Sequence, residues 1–237
     1  MTSDSASRNI LLRISYDGTH FHGWQKQLHH GKEAFRTVQG EIERALALLH
    51  KHPVELAGSG RTDAGVHACG QAAHFFTDIA RIKPENFVPA LNSILPRDVR
   101  IMEARQVSPL LHARFSAHAR TYRYFIRCGT AAFAHELPYC WHITREPDVE
   151  LLNQMARVLS GELDCTTFSA AGDQSQSKSR YIYSAHFFHD ERCLVFEISA
   201  NAFLWRMVRS ITGTLLHCEQ VKQTRADFEQ ILKSKNR

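Results

Sequence analysis

The sequence lacks paired cysteines, metal-ligand spacings and long apolar runs. Its six cysteines are far apart and form no Cys-x-x-Cys pair, which argues against a zinc knuckle or a redox dithiol and fits a reducing cytoplasm. Histidines are paired in "THFHGW" and "QLHHGK", but no His-Glu-x-x-His spacing occurs, so we expect no metal site. There is also no signal peptide and no run of about eighteen apolar residues, so we expect no membrane segment.

The residues that are present suit a folded protein with a polyanionic partner. The 237 residues are 43% apolar, enough for the core of one large domain or two small ones. Lys and Arg number 29 against 24 Asp and Glu, a net charge of +5. Basic and aromatic residues are clustered in "RTYRYFIR" and "FLWRMVR". This clustering favours a polyanionic partner, although many basic surfaces are only solvated.

The first half of the chain alternates strand and helix patterns. Apolar residues at every second position of "NILLRISY" predict a strand. Thr37 is a suitable N-cap for a helix over 38–50, whose apolar residues fall on one stripe. Further strands are predicted at "PVEL", "QAAHFF" and "DVRIME", with a short helix over 84–94 that begins at Pro84. A glycine-rich segment therefore lies between two strands.

The second half repeats this order. We predict a strand at "ARTYRYFIR", a helix over 148–160 that ends at Gly161, and a strand pair at "SRYIYSAHFF" and "CLVFEIS". A helix over 201–216 follows, and a last helix is expected after Thr224.

These patterns predict an α+β protein. We expect two similar α/β halves, 9–108 and 109–237, that share one extended, mainly antiparallel central sheet flanked by helices. The polar segment 169–180 lies inside the second half and is predicted to be a mobile surface loop rather than a domain linker.

The segment "AGSGRTDAGVHACG" (57–70) places four glycines around one carboxylate, Asp63, and one arginine, Arg61. A phosphate-binding loop would end in Gly-Lys-Ser/Thr and open a helix, whereas this segment leads into a strand, so no nucleoside triphosphate site is expected. Glycines in such a loop allow left-handed turns or the close approach of a ligand, and we expect one of these roles for Gly58, Gly60 and Gly65. Asp63 is either a functional acid on a rigid loop or the residue that closes an Asx-type turn.

Six blocks occur in one order along about residues 9–217: "YDGTHFHGWQKQ", "TVQGEIERAL", "GSGRTDAGVHACGQAAHF", "LNSILPRDV", "HARFSAHARTYRY" and "AFLWRMVRSITGTLL". In this order and spacing they resemble the TruA-type tRNA pseudouridine synthases, and the core "GRTDAGVHA" is highly specific. The resemblance implies an isomerase that converts uridine to pseudouridine at positions 38, 39 and 40 of the tRNA anticodon stem-loop, without metal or cofactor. It also implies a cytoplasmic homodimer and an active-site cleft between the two halves.

The resemblance further implies roles for single residues. Asp63 matches the catalytic aspartate, and Tyr122 matches the tyrosine that stacks on the uracil and removes the C5 proton. Arg209 matches the arginine that pairs with this aspartate and keeps it ionised. Arg61 matches the arginine that enters the stem when the target nucleotide leaves it.

Two more arginines are candidates for substrate binding. Arg206 lies one predicted helical turn before Arg209, and Arg123 follows Tyr122 in the basic and aromatic strand. Plainer interpretations stay open, because strand tyrosines are mostly packing residues and arginines spaced along a helix usually form a solvated face. In the same way, "YDG" at 16–18 is either a strand end with a turn or an RNA contact.

The main alternative function is a non-catalytic RNA-binding protein of the same fold. A base deaminase is not expected, because its His-x-Glu and Pro-Cys-x-x-Cys zinc signature is absent from the sequence. The family usually continues beyond the equivalent of Arg237 into a short strand that helps to wall the pocket. We therefore expect that the sequence is shortened at its C-terminus, with a weakened enzyme as the alternative.

Overall fold

The computed structural model describes residues 7–29, 32–129 and 131–236. The chain divides into two compact units, Met1–Ala117 and His118–Arg237, whereas the halves predicted from the sequence meet at 108/109. Each unit has a large sheet, helices and its own buried apolar cluster. This mixed α/β architecture confirms the predicted fold class. None of the described helices is long and apolar enough to cross a membrane.

In chain order the elements of the first unit are β1 (Arg8–Tyr16), β2 (Leu28–His29), β3 (Lys32–Glu33), α1 (Val38–His50), β4 (Ala57–Gly58), β5 (Ala68–Thr77), α2 (Phe87–Asn92) and β6 (Val99–Val107). Its main sheet is antiparallel and four-stranded, with the order β4-β5-β1-β6, and β2 pairs separately with β3. A 3-10 turn at Pro84–Asn86 leads into α2, so the predicted start of that helix is confirmed.

The core of the first unit follows from the alternation in β1. The predicted apolar face of β1 is buried, and it packs with the predicted apolar stripe of α1 in one core. Thr37 caps α1, because its hydroxyl accepts a hydrogen bond from the Gly40 N–H at 3.3 Å. The strand residues buried on this face are Ile10, Leu12, Ile14 and Tyr16.

The strand predicted at "PVEL" is wrong. Val54 and Leu56 are buried, which accounts for the alternating pattern. However, the Leu56 N–H donates to Glu43 Oε1 at 3.2 Å, and Gln39 Nε2 donates to the Leu56 carbonyl at 3.1 Å. The backbone of Leu56 is thus bonded to side chains of α1 instead of a neighbouring strand. Pairing with β5 begins only in β4.

In chain order the elements of the second unit are β7 (Arg120–Cys128), β8 (Trp141–Ile143), α3 (Val149–Ala156), β9 (Gly161–Asp164), β10 (Ser179–Asp190), β11 (Cys193–Ala200), α4 (Met207–Gln220) and α5 (Arg225–Ser234). The strands form a five-stranded sheet with the order β8-β7-β11-β10-β9, in which only β7 and β8 are parallel. The sequence predicted one extended sheet, whereas the described strands pair into a separate sheet in each unit. An alternating pattern specifies which face of a strand is buried, not which edge it joins.

The helix predicted over 148–160 is shorter in the structure. α3 ends at Ala156, and the Val158 N–H donates to the Met155 carbonyl at 3.0 Å, the spacing of a tighter turn. Gly161 has φ +82° and begins β9 instead of ending the helix.

The start predicted for α4 at 201 is also wrong, since the helix begins at Met207. The backbone before it is held by the loop 169–180: the Trp205 N–H donates to Asp173 Oδ2 at 2.7 Å, and the Ala170 N–H donates to the Trp205 carbonyl at 3.0 Å. In a helix that began at 201, the Trp205 N–H would instead donate to the carbonyl four residues earlier in the chain. The segment 169–180 is largely irregular, as predicted, and its mobility stays a prediction.

The last helix is confirmed. Thr224 and Asp227 form a capping box at the start of α5, with each side chain bonded to the backbone of the other residue. Phe228 and Leu232 are buried in the core of the second unit, and Ile231 packs against it.

Candidate active site

The Asp63 loop, residues 59–67, connects β4 to β5 and is fixed at its base. The Ser59 N–H donates to the carbonyl of Ala72 in β5 at 2.7 Å. The Ser59 hydroxyl donates to Gln71 Oε1 at 2.7 Å, and Gln71 Nε2 donates to the Gly60 carbonyl at 2.8 Å. β5 therefore holds the first residues of the loop and sets the direction in which it leaves the sheet.

Thr62, next to the carboxylate, is held by two aromatic residues outside the loop. The Tyr16 hydroxyl lies 2.8 Å from the Thr62 hydroxyl, and the backbone N–H of Trp24 donates to the Thr62 carbonyl at 3.0 Å. Both aromatic side chains are buried, and their ring centroids are 6.0 Å apart. The residue before Asp63 is thus fixed through its side chain and its backbone. Buried Tyr16 supports the loop from inside the unit, which favours the plainer interpretation over RNA contact.

Gly23 allows a preceding segment to touch the Asp63 loop. It has φ +90°, and a Cβ there would lie 2.6 Å from the Thr62 carbonyl oxygen and 3.2 Å from the Asp63 carbonyl carbon. Gly23 is not among the site residues predicted from the sequence, because the pattern "HGW" gives no sign of a distant partner. Within the loop, Gly65 has φ +77° as expected, whereas Gly60 has neither a positive φ nor any atom within 4 Å of a built Cβ.

Asp63 and Arg61 are both exposed on the loop. The turn beyond Asp63 is closed by the backbone, because the Val66 N–H donates to the Asp63 carbonyl at 3.2 Å. The loop therefore presents an acidic and a basic side chain on a supported backbone. Asp17 is a turn residue, since its Oδ1 accepts hydrogen bonds from the Thr19 N–H at 3.0 Å and the Thr19 hydroxyl at 2.6 Å.

Tyr122 lies in β7 of the second unit, on the side of the sheet that carries the core. It is half-buried, and its ring contacts Phe203 edge-on with centroids 5.0 Å apart. Ile126, on the same side of β7, is fully buried in the core. Tyr122 therefore packs against the core, as a structural tyrosine would, while part of its side chain stays accessible.

Arg123 points to the opposite face of β7. Its Nε donates to Glu197 Oε2 at 2.6 Å across the pair of β7 and β11, and its guanidinium lies 5.7 Å from the centroid of the Phe188 ring. Since consecutive strand residues point to opposite faces of a sheet, the structure does not bring Arg123 and Tyr122 together.

The two arginines near the start of α4 differ in their backbone setting. Arg206 has φ +60° and precedes the helix, so the interpretation that both arginines lie one turn apart on a helix is wrong. Its guanidinium lies 4.8 Å from the centroid of the Trp205 ring. Arg209 lies in the first turn of α4, and both arginines are exposed.

The described residues contain no group of three or more His, Cys, Asp or Glu side chains that could hold a metal ion. Within "QLHHGK", His30 lies outside the described residues. All six cysteines are free. Burial raises the pKa of Cys128 and of Cys165 to about 11, so both remain thiols at neutral pH and are poor nucleophiles.

Comparison with known proteins assigns the chain to a family. A family model described as tRNA pseudouridine synthase matches residues 13–116 and 155–237. Asp63 and Arg209 lie in the matched segments, and Tyr122 lies between them.

Three proteins named tRNA pseudouridine synthase A match 97% of the chain. That of Treponema denticola is 65% identical, with 86% of its length covered. That of Treponema pallidum is 60% identical, with 82% covered, and that of Borreliella afzelii is 41% identical, with 92% covered. The chain belongs to the tRNA pseudouridine synthase family.

Proposed function

We propose that this protein is an isomerase that converts uridine to pseudouridine in tRNA. The observation that carries the proposal is the exposed carboxylate of Asp63 on a loop supported by β5, Tyr16 and Trp24, in a chain of this family. Substrate and product contain the same atoms, so the reaction needs neither an oxidant nor a hydrolytic water. A fixed carboxylate is sufficient to begin such chemistry.

The reaction breaks the glycosidic bond between N1 and C1′, turns the uracil over and joins C5 to C1′. C5 then loses its proton and N1 gains one. We assign Asp63 to attack on the sugar or to assistance of glycosidic cleavage, and Tyr122 to removal of the C5 proton. We assign to Arg209 the role that the resemblance implies, that of the charged partner of this aspartate.

The target uridine has to leave the base stack, at a cost of a few kcal/mol. Arg61 is exposed on the same loop as Asp63, and we assign it to the space that the nucleotide vacates. Arg206 is assigned to the RNA backbone. Arg123 is proposed as an RNA contact on the other face of its sheet, separate from Tyr122.

We further propose that the target positions are 38, 39 and 40 of the anticodon stem-loop and that the protein acts as a cytoplasmic homodimer without metal or cofactor. The resemblance of the six sequence blocks supports these finer statements. Recognition of a structured RNA through phosphates and shape predicts binding that weakens strongly with salt.

Product mapping tests this proposal. Purified protein is incubated with a tRNA transcript that carries uridine at positions 38, 39 and 40. Because pseudouridine has the same mass as uridine, the RNA is then treated with a carbodiimide and mild alkali, which leaves a mass label only on pseudouridine, and the labelled positions are located by mass spectrometry of nuclease fragments. Transcripts with cytidine at these positions are the matched controls. We expect pseudouridine only where uridine occupies one of the three positions. Binding without any product would support the alternative, a non-catalytic RNA-binding protein, and product elsewhere would refute the assigned positions.

A further inference from the structure

Asp173 is a buried carboxylate in the loop 169–180 that the proposed chemistry does not use. Its side chain is 4% exposed. Oδ2 accepts a hydrogen bond from the Trp205 N–H at 2.7 Å, Oδ1 accepts one from the Ser175 N–H at 2.9 Å, and Lys178 forms an ion pair with it. A carboxylate is rarely buried to this degree unless it is paired, and here Lys178 and two backbone N–H groups supply the partners.

Asp173 remains an anion at physiological pH. Burial raises the pKa of its carboxyl group, but the hydrogen bonds from Lys178, the Trp205 N–H and Ser175 outweigh burial, and the pKa lies well below its ordinary value. Hydrogen bonds to an ionised acceptor are about twice as strong as neutral ones. The bond to the Trp205 N–H is therefore a firm link between the loop and the residue that precedes Arg206.

Trp205 is fixed by two further contacts from the same loop. The Ala170 N–H donates to its carbonyl at 3.0 Å. Gly172 lies so close that a Cβ there would be 2.8 Å from Trp205 Cζ3. Arg206 follows at φ +60° with its guanidinium over the Trp205 ring. Such a backbone conformation is uncommon for a residue other than glycine, and the contacts of Trp205 with the loop fix the residue that precedes it.

We propose that Asp173 is a positioning residue for tRNA binding: it fixes Trp205 and thereby sets Arg206 in place for a phosphate of the RNA backbone. A free arginine side chain loses rotamer freedom when it binds, whereas one already stacked on a fixed ring has less freedom to lose. This inference rests on the proposed function, because it assumes that tRNA is the polyanion that Arg206 contacts.

The dependence of tRNA affinity on salt separates positioning from general structural support. Each phosphate contact that is lost lowers the slope of log K against log salt by about 0.7 to 1. We expect Asp173→Asn and Arg206→Ala each to raise the Kd for tRNA about tenfold. Each should also lower the steepness of the salt slope by the amount that corresponds to one lost phosphate contact. Because both act through one contact, the double variant should be no weaker than Arg206→Ala alone.

Asp164→Asn is the matched control in the same unit. Asp164 accepts a hydrogen bond from the Thr166 hydroxyl at 2.6 Å and forms an ion pair with Lys235 at 2.9 Å. Its hydrogen bonds and its ion pair resemble those of Asp173, but its partners are not in the segment before α4. We expect its salt slope to equal that of the wild type.

Gly172→Ala displaces the Trp205 ring without removing the carboxylate, and it carries the test if Asp173→Asn fails to fold by circular dichroism. We expect the same loss of slope for Gly172→Ala. An unchanged slope in the folded variants, or additive losses in the double variant, would overturn the inference. Absence of pseudouridine formation by the wild type would instead refute the proposed function.

Discussion

Replacement of Gly23 by alanine should move the backbone that carries Asp63 without changing the Asp63 side chain itself. At φ +90°, a side chain is strained by about 1–2 kcal/mol. In addition, the new Cβ would meet the Thr62 carbonyl oxygen at 2.6 Å and the Asp63 carbonyl carbon at 3.2 Å, so the loop backbone has to retreat. We expect a loss of about 2–3 kcal/mol in the free energy of unfolding.

The effect on catalysis should be larger than the effect on tRNA binding. A displacement of about 1 Å at a reacting group can reduce the rate about 10²-fold, so kcat should fall by that order while the Kd for tRNA changes little. Urea unfolding measures the loss in the free energy of unfolding, and single-turnover kinetics measure the fall in the rate. Gly70→Ala is the matched control, because a Cβ there meets nothing closer than Arg13 Cδ at 3.9 Å. A folded Gly23→Ala variant with a kcat within twofold of the wild type would refute this account of the loop.

Two further predictions concern stability. Gly213 lies inside α4 with no atom within 4 Å of a built Cβ, so Gly213→Ala should raise the free energy of unfolding by about 0.5–1 kcal/mol, and an unchanged or lower value in urea would contradict it. Burial, and to a smaller extent the charge of His112, lower the pKa of His74 from 6.5. Below pH 6.5 the unfolded chain therefore binds a proton that the folded protein does not, and the stability falls. Between pH 7 and 5.5 the melting temperature should therefore fall less in His74→Gln than in the wild type; parallel curves would argue against this.

The sequence correctly predicted the elements in which apolar residues recur at the spacing of a strand or a helix and are buried on one face. β1 and α1 bury the face that the sequence indicated, and α5 begins at the predicted cap Thr224. The predicted strand at 53–56 and the predicted helix start at 201 are wrong because side chains distant in the sequence bind the backbone there, in place of strand or helix hydrogen bonds. The backbone of Leu56 forms hydrogen bonds with side chains of α1 instead of with a strand. The carboxylate of Asp173 accepts a hydrogen bond from the backbone of Trp205, in the segment that was predicted to begin α4.

The candidate site was accessible to sequence analysis only in part. The glycine-rich motif located Asp63, but the support of its loop by Gly23, Tyr16 and Trp24 depends on contacts between distant parts of the chain. Strand periodicity alone would have separated Arg123 from Tyr122, because adjacent strand residues face opposite sides.

The central claim is that Asp63 begins the isomerisation, and tritium release from tRNA labelled at C5 of uridine tests it most directly. Asp63→Asn keeps the size of the side chain and its ability to form a turn. Asp78→Asn, an exposed residue of the same unit that pairs with His52 at 3.0 Å, is the matched control. We expect tritium release by the wild type and by Asp78→Asn, and none by a folded Asp63→Asn variant that still binds tRNA. Substantial release by Asp63→Asn would contradict the account.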